Sequence, residues 1–376
     1  MTAHAATRFK ALDVFRGLTV CLMIIVNTPG DGSVSFSPLQ HANWHGFTPT
    51  DLVFPSFLFA VGNAMSFVML KWSNMPQSQV LLKIAKRTFI IFLLGYLMYW
   101  FPFVKYQNGA YVAFPFAETR VFGVLQRIAL CYGAAALMVY YLKPKTMYWL
   151  SAGMLLLYWG LAYWLAPAGA DALSLEGNAT AVLDKWLIGE AHMYHGDSIA
   201  FDPEGLLSTL PAIVNVVAGF AAGRYIQQQG RSYEMLAKLL MAGAVLLAAA
   251  YAWDLAFPIN KKLWTSSFVL HTVGLDLLIL SVVMYVLDFA GRNRWAYFFE
   301  VFGKNPLFIY LLSEVIAILL WFFHTADGQP MYQWVYQTFF GFIGGPVGSL
   351  LFALAVMMVC WLTGYVMDKR KWYVRV

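Results

Sequence analysis

The chain has 376 residues, of which 60% are hydrophobic, 17% aromatic and only 12% charged, with a mean hydropathy of +0.62. A soluble domain carries roughly 45–50% apolar and about 25% charged residues, so soluble globular, disordered and secreted disulfide-rich classes are excluded. An all-α polytopic membrane protein remains, and the formal charge of +6 must be judged by where the charges fall.

A spanning helix takes about 20 mostly apolar residues. In chain order the apolar runs predict ten of them, at 12–29, 51–72, 86–104, 121–142, 146–165, 206–227, 236–256, 265–288, 305–324 and 347–367. An even number puts both termini on one side. With that side cytoplasmic, nineteen of the 25 lysines and arginines fall inside and twelve of the 19 acidic residues fall outside. This is the positive-inside pattern, broken only by Lys261 and Lys262 in the 257–264 connection. The basic balance therefore reports orientation in a lipid bilayer, and no nucleic-acid partner is implied. The first run carries Asp13 and Arg16 in its first turns, with no small-residue cleavage site after it, and reads as an uncleaved anchor. Cys21, Cys131 and Cys360 all lie in apolar runs and read as small core residues without a disulfide framework. Residues 1–376 read as one integral-membrane domain. The acidic connection 166–205, with Trp186, His192 and His195, reads as a partly helical cap over the outer face.

Polar residues in or beside spans are costly, so each is either functional or a hydrogen-bonding link between helices. Asn27, His41, His45, Asp51, Arg120, Gln126, Arg127, Glu204, Asn260, Lys261 and His271 all gather at the outer ends of the predicted spans, while Asp276 and Glu314 lie within spans. The densest stretch runs from His41 through Trp44, His45 and Gly46 to Asp51 and Pro55. Gly46 and Pro49 make 41–50 a loop, and Asp51 is placed either to cap the next helix or to act chemically. His41 and His45 stand four apart, but no third ligand has a recognisable spacing and no HExxH occurs, so no metal is expected. A buried Arg127 needs an anion, either a carboxylate such as Glu118, Asp51 or Glu204 or one on a ligand. The fourteen tryptophans are mostly an interfacial belt, whereas Trp44 and Trp264, beside polar residues, are candidates to stack on a sugar ring.

Several segments in order resemble a known family. Leu12-Asp13-Val-Phe-Arg16-Gly17 leads to a first span ending at Asn27, followed by His41-Ala-Asn-Trp44-His-Gly-Phe-Thr-Pro-Thr-Asp51-Leu-Val-Phe-Pro55. Lys83-Ile-Ala-Lys-Arg87, Gly123-Val-Leu-Gln126-Arg127, Asp202-Pro-Glu204-Gly-Leu-Leu-Ser-Thr-Leu210, Ile259-Asn260-Lys261-Lys-Leu-Trp264-Thr-Ser and Gly303-Lys-Asn-Pro-Leu-Phe-Ile-Tyr310 continue the likeness. Together they resemble the heparan-alpha-glucosaminide N-acetyltransferase family, including its bacterial NagX-type members.

The resemblance implies a transmembrane acyltransferase that moves acetyl from cytosolic acetyl-CoA to the amino group of a glucosamine-type sugar at the outer, periplasmic face. It implies His41 as the catalytic histidine, acting as base or as acetyl carrier, with Asn27 assisting. Arg16 and Arg87 are then inner-face candidates for the coenzyme A phosphates. Arg120 and Arg127 are candidates for either substrate or a structural carboxylate, and Asp51, Trp44, Gln126, Glu204, Asn260, Lys261 and Trp264 complete the substrate-binding set. A bacterial inner-membrane setting and a homodimer are implied by resemblance only. A neutral imidazole suits deprotonation of an amine near pH 7, and an uncharged amide suits a developing oxyanion. The other class open at this point is an inner-membrane transporter for N-acetylglucosamine or its oligosaccharides, which would be expected to show inverted repeats and polar breaks at the bilayer midplane.

Overall fold

A computed structural model describes residues 9–107, 109–196 and 199–374. Thirteen α-helices run through them: α1 (Lys10–Asn27), α2 (Pro49–Trp72), α3 (Gln77–Trp100), α4 (Val124–Tyr141), α5 (Pro144–Trp164), α6 (Ala179–Ile188), α7 (Leu206–Gln229), α8 (Tyr233–Asp254), α9 (Ser266–Met284), α10 (Ala296–Lys304), α11 (Pro306–Phe322), α12 (Met331–Phe339) and α13 (Gly345–Lys369). A π turn at Tyr285–Phe289 extends α9. Each predicted apolar segment is covered by a helix, and the protein is an all-α membrane protein.

Among the described residues six helices are long and apolar enough to cross a membrane on their own, namely α2, α4, α7, α8, α9 with its π turn, and α13. The pair α10 and α11, bent by 85°, makes a seventh if counted as one broken span. That is fewer than the ten expected, for physical reasons. Helix α1 carries Lys10, Asp13 and Arg16, α3 carries Lys83, Lys86 and Arg87, and α5 is dense in Tyr and Trp. Helix α3 also starts at Gln77, well before the expected 86, because lysine and arginine are good helix formers and continue the helix through the charges.

One departure from the helical reading is a hairpin, β1 (Val104–Gln107) against β2 (Ala110–Ala113), with Tyr106 opposite Tyr111 and their rings 5.1 Å apart. The sequence Asn108-Gly109 between them is a two-residue hairpin signal, and Gly109 takes the positive φ such a turn needs.

Small residues set the tightest packing. A Cβ on Gly62 of α2 would lie 1.9 Å from the Val216 carbonyl oxygen of α7, and one on Gly219 would lie 1.9 Å from that of Phe59. The two helices therefore touch backbone to backbone, as small residues permit in membranes. At one end of the bundle, Arg16 donates to the Gly303 carbonyl and to Asp13, and Lys304 pairs with Asp368 at 2.8 Å. At the opposite end, the Tyr332 hydroxyl donates to Pro29 O at 2.8 Å, and Gly30 N–H donates to Ser349 O. The second end holds Asn27, His41 and Asp51. The segment 166–205 contributes α6 there, packed on α5 and α7, and Val121 N–H bonds His192 O. The three cysteines are buried and free.

Candidate active site

The loop between α1 and α2 returns to the start of α2, where Thr48 is the N-cap and Asp51 stands at the third helical position. The two residues form a capping box. The Thr48 hydroxyl faces Asp51 Oδ2 at 3.0 Å, and Thr48 N–H donates to Oδ2 at 2.9 Å. Asp51 thus belongs to the cap, but at the third helical position, three residues after the N-cap Thr48. Its other oxygen does something a cap does not require: Oδ1 lies 2.7 Å from His41 Nδ1. Asp51 is 1% exposed and His41 45%, so a buried carboxylate holds the inner nitrogen of an accessible imidazole. With the carboxylate ionised, Nδ1 carries the proton and Nε2 is the acceptor nitrogen.

A second loop completes this cluster. Lys261 Nζ is 3.0 Å from His41 Nδ1 and 3.1 Å from Nε2, and 3.9 Å from Asp51 Oδ1. The backbone that presents Lys261 is pinned. Asn260 is fully buried, its Oδ1 accepts from Leu263 N–H at 2.9 Å, and its own N–H donates to Thr265 Oγ1. Asn260 also approaches His45, at 3.4 Å between Nδ2 and Nδ1. One backbone hydrogen bond joins the two loops directly, from Gly46 N–H to Ile259 O at 2.8 Å. Gly46 has φ +109°, a left-handed conformation open to glycine.

Charges around Lys261 are arranged in a relay. Burial pulls its ammonium below the usual lysine range, with Asp51 and Glu204 working against that. Burial works to raise the Glu204 carboxyl, but Arg120, Arg127 and Lys261 outweigh it and hold it below the ordinary carboxylate range. Arg120 grips Asp202 through two nitrogens, at 3.0 and 2.6 Å, and Glu204 at 2.7 Å, with its guanidinium between the rings of Tyr99 and Tyr194. Arg120 therefore ties the 116–123 loop to the start of α7. Arg127 takes none of the carboxylates the sequence offered by direct contact. It bonds Ser208 Oγ and Gly205 O, lies over the Trp264 ring at 4.8 Å, and leaves Nε and Nη1 without partners among the described residues. Glu118 pairs with Lys105 instead.

A second focus forms around Asn27 at the end of α1. Its Nδ2 donates to Glu314 Oε1 of α11 at 3.2 Å. Asn27 lines a cavity of about 400 Å3 with Asp31, Trp321, Tyr332, Gln333 and Tyr336. Glu314 lines a second cavity of about 190 Å3 with Gly95, Tyr99, Gln126 and Tyr310. The Asn27–Glu314 hydrogen bond links a residue lining the one cavity to a residue lining the other. Gln126 is fully buried beside Gly95, and neither atom of its amide has a partner among the described residues.

Several expected residues turn out to be committed elsewhere. Trp264 is 1% exposed, with its indole N–H on Asn215 Oδ1, so its ring is not open to a sugar. Trp44 donates to Leu173 O at 2.7 Å and packs on Phe201, and it holds the 166–205 segment down. Arg16 is spent on Asp13 and Gly303, and Arg87 lies over the Tyr132 ring at 4.6 Å. In the sequence reading Glu314 stood only as an acid within a span, and its partner Asn27 was out of sight 287 positions away. No group of three or more His, Cys, Asp or Glu residues is disposed to hold a metal among the described residues.

The profile of a family described as heparan-alpha-glucosaminide N-acetyltransferase, catalytic, matches residues 8–233. The chain belongs to this family. The matched stretch contains Asn27, His41, Asp51, Gln126, Arg127 and Glu204, while Lys261, Glu314 and Trp321 lie beyond it. Heparan-alpha-glucosaminide N-acetyltransferase of Homo sapiens is 27% identical, over 82% of this chain and 53% of the human protein. The Mus musculus protein of the same name is also 27% identical, over 83% of this chain and 54% of its own length. The chain thus spans about half the length of these curated relatives of the N-acetyltransferase family.

Proposed function

We propose that this chain is a transmembrane N-acetyltransferase that moves acetyl from acetyl-CoA on the cytoplasmic side to the amino group of a glucosamine-type sugar at the outer face. In this reading α1, α3 and α5 cross the membrane as well, both termini are cytoplasmic, and the setting is a bacterial inner membrane. The observation that carries the proposal is the His41–Asp51–Lys261 cluster, an accessible imidazole fixed by a buried carboxylate, within a chain of this family.

An amine must shed a proton to acylate. His41 Nε2 is the accepting atom, while Asp51 fixes the ring through Nδ1 and stabilises the imidazolium once the proton has arrived. Lys261 sits almost equidistant from both ring nitrogens, so it sets the field at the imidazole and holds Asp51 ionised. Asn27 uses one of its two amide N–H donors on Glu314, and the second is free to meet developing negative charge on oxygen. The residues present fit the pantetheine arm of coenzyme A. The unpartnered Gln126 amide, in a cavity shared with Tyr99, Tyr310 and Glu314, matches the amide groups of such an arm. Bound acetyl-CoA supplies the activated thioester. At the inner end, Arg87, which stacks on Tyr132 but keeps its Nε without a hydrogen-bond partner among the described residues, is the candidate for its phosphates together with Lys83 and Lys86 on the same helix.

Membranes holding the protein should transfer labelled acetyl from acetyl-CoA to glucosamine, and His41→Ala should abolish the transfer while the protein still purifies as folded. Normal turnover by His41→Ala would remove His41 from this role. Uptake of labelled sugar into proteoliposomes without acetyl-CoA, with no acetylation, would replace the enzyme reading by the transporter. Release of one equivalent of coenzyme A before any acceptor is added would make His41 an acetyl carrier in place of a base.

A further inference from the structure

The cavity next to Asn27 has a lining that the acetyl-transfer chemistry does not itself require. Trp321, at the end of α11, is stacked on Tyr332 with ring centroids 4.8 Å apart and planes 15° from parallel. Tyr332 is buried and fixed by its hydroxyl on Pro29 O, yet Trp321 keeps 47% of its surface exposed. One face of the indole is therefore backed by a rigid ring and the other is open. Around it stand the amides of Gln333 and Gln337, which come from one face of α12, and the carboxylate of Asp31. Both hydrogen bonds to the Asp31 side chain, from Ser33 N–H and Ser33 Oγ, land on Oδ1, which leaves Oδ2 for another donor. The cavity floor is drawn close. A Cβ on Gly30 would fall 2.4 Å from the Tyr336 ring, so that ring lies directly against the backbone of the 28–32 turn.

An aromatic face for C–H groups, side-chain amides for hydroxyls and a carboxylate for an ammonium are together complementary to an amino sugar. The negative face of an indole attracts both polarised C–H groups and cations. The volume of about 400 Å3 falls within the roughly 300–1,000 Å3 typical of small-molecule sites. We infer that this cavity is the acceptor subsite, with Trp321 as the platform for a hexosamine ring and Gln333 and Asp31 reading its polar groups. The inference rests on the acetyltransferase reading for its ligand class. It moves the sugar platform from Trp44 and Trp264, which are engaged elsewhere, to a residue outside the family-matched stretch.

The test uses purified full-length protein in detergent, with Trp321→Ala, Trp321→Phe and Gln333→Ala. The expected result is a KM for glucosamine raised about tenfold or more in Trp321→Ala, partly restored in Trp321→Phe, and raised less in Gln333→Ala. The KM for acetyl-CoA should stay at the parent value in all three. A glucosamine KM unchanged in both alanine variants overturns the inference even if acetylation is robust. If the parent does not acetylate glucosamine, the acetyltransferase reading fails separately, and saturation-transfer NMR with glucosamine then decides the subsite. Transfer seen with the parent and lost in Trp321→Ala upholds it, and equal or absent transfer in both overturns it. Gln333 is an exposed helix residue, so its variant remains informative if Trp321→Ala does not fold.

Discussion

Asp51→Asn separates the two jobs of Asp51. The native carboxylate accepts from His41 Nδ1 at 2.7 Å through Oδ1, and from Thr48 and Ala42 N–H at 2.9 and 3.1 Å through Oδ2. An amide keeps one oxygen, which can go on accepting from Thr48 and Ala42, so most of the helix cap survives. What it offers His41 is an N–H donor. That drives the imidazole to the tautomer with its proton on Nε2, the atom needed as acceptor. The charge-assisted bond, worth about 1.5–3 kcal/mol, disappears together with the correct tautomer. Positioned general-base catalysis is worth about 10²–10⁴-fold, so kcat should fall at least about 10²-fold while thermal unfolding in detergent moves little. Thr48→Ala is the reverse perturbation. It removes the hydroxyl that meets Asp51 at 3.0 Å and donates to Gln40 O at 2.7 Å. Loss of an N-cap costs about 1 kcal/mol, so this variant should unfold earlier and keep kcat within a few-fold. Initial rates with labelled acetyl-CoA and unfolding curves on the same preparations give both readouts. If Asp51→Asn kept about a third or more of parent kcat, or Thr48→Ala lost as much activity as Asp51→Asn, the dyad argument would be refuted.

Three further outcomes follow from other parts of the molecule. Asn27→Asp replaces an amide donor by a carboxylate facing Glu314 and should lower kcat about 10²–10³-fold in steady-state acetylation; near-parent kcat would exclude Asn27 as an oxyanion donor. Burial pushes the Asp184 carboxyl up to about 7, so the stability it allows is whole below its unfolded value near 4 and is lost as pH rises through about 7. Asp184→Asn retains the Oδ1 bond to Leu206 N–H. It should therefore unfold at a higher temperature than the parent at pH 8 and at the same temperature at pH 4; a pH-independent difference would contradict this. Gly62→Val puts a Cβ 1.9 Å from the Val216 carbonyl oxygen and must part α2 from α7, an overpacking cost of about 1–3 kcal/mol or more. Size-exclusion chromatography of the detergent extract should show a loss of the monodisperse peak, and a parent-like profile would argue against close helix contact there.

Much of the helical fold is legible because apolar runs of about 20 residues have few other solutions. The helices α10 and α12 were not, since nine residues of mixed polarity carry no such signal; α6 falls in the segment read as a partly helical cap without bounds, and α10 lies wholly before the 305–324 segment that α11 fills. The hairpin at 104–113 has strands of only four residues, too short to carry an alternating pattern, although its Asn-Gly turn was in plain view. In the site, His41 and Asp51 share one short motif and could be paired from it. Lys261 could not, because the 220 positions separating it from His41 are bridged by the fold and by no local pattern. The tryptophans show the limit most plainly. The sequence sets Trp44 and Trp264 beside polar residues and Trp321 in an apolar run, but only packing decides that the first two serve Leu173 and Asn215 and the third keeps an exposed ring.

The bond from Gly46 N–H to Ile259 O joins the loop that carries His41 to the distant loop that carries Lys261. Residues up to 233 bring the histidine, its carboxylate and Asn27, and residues after 233 bring the lysine, Glu314 and Trp321. Divided in the connection between α7 and α8, the protein becomes two incomplete halves, each holding part of one site. Co-expression of the two should restore what neither possesses, so this loop contact can serve as the seam of a split enzyme whose activity reports reassembly.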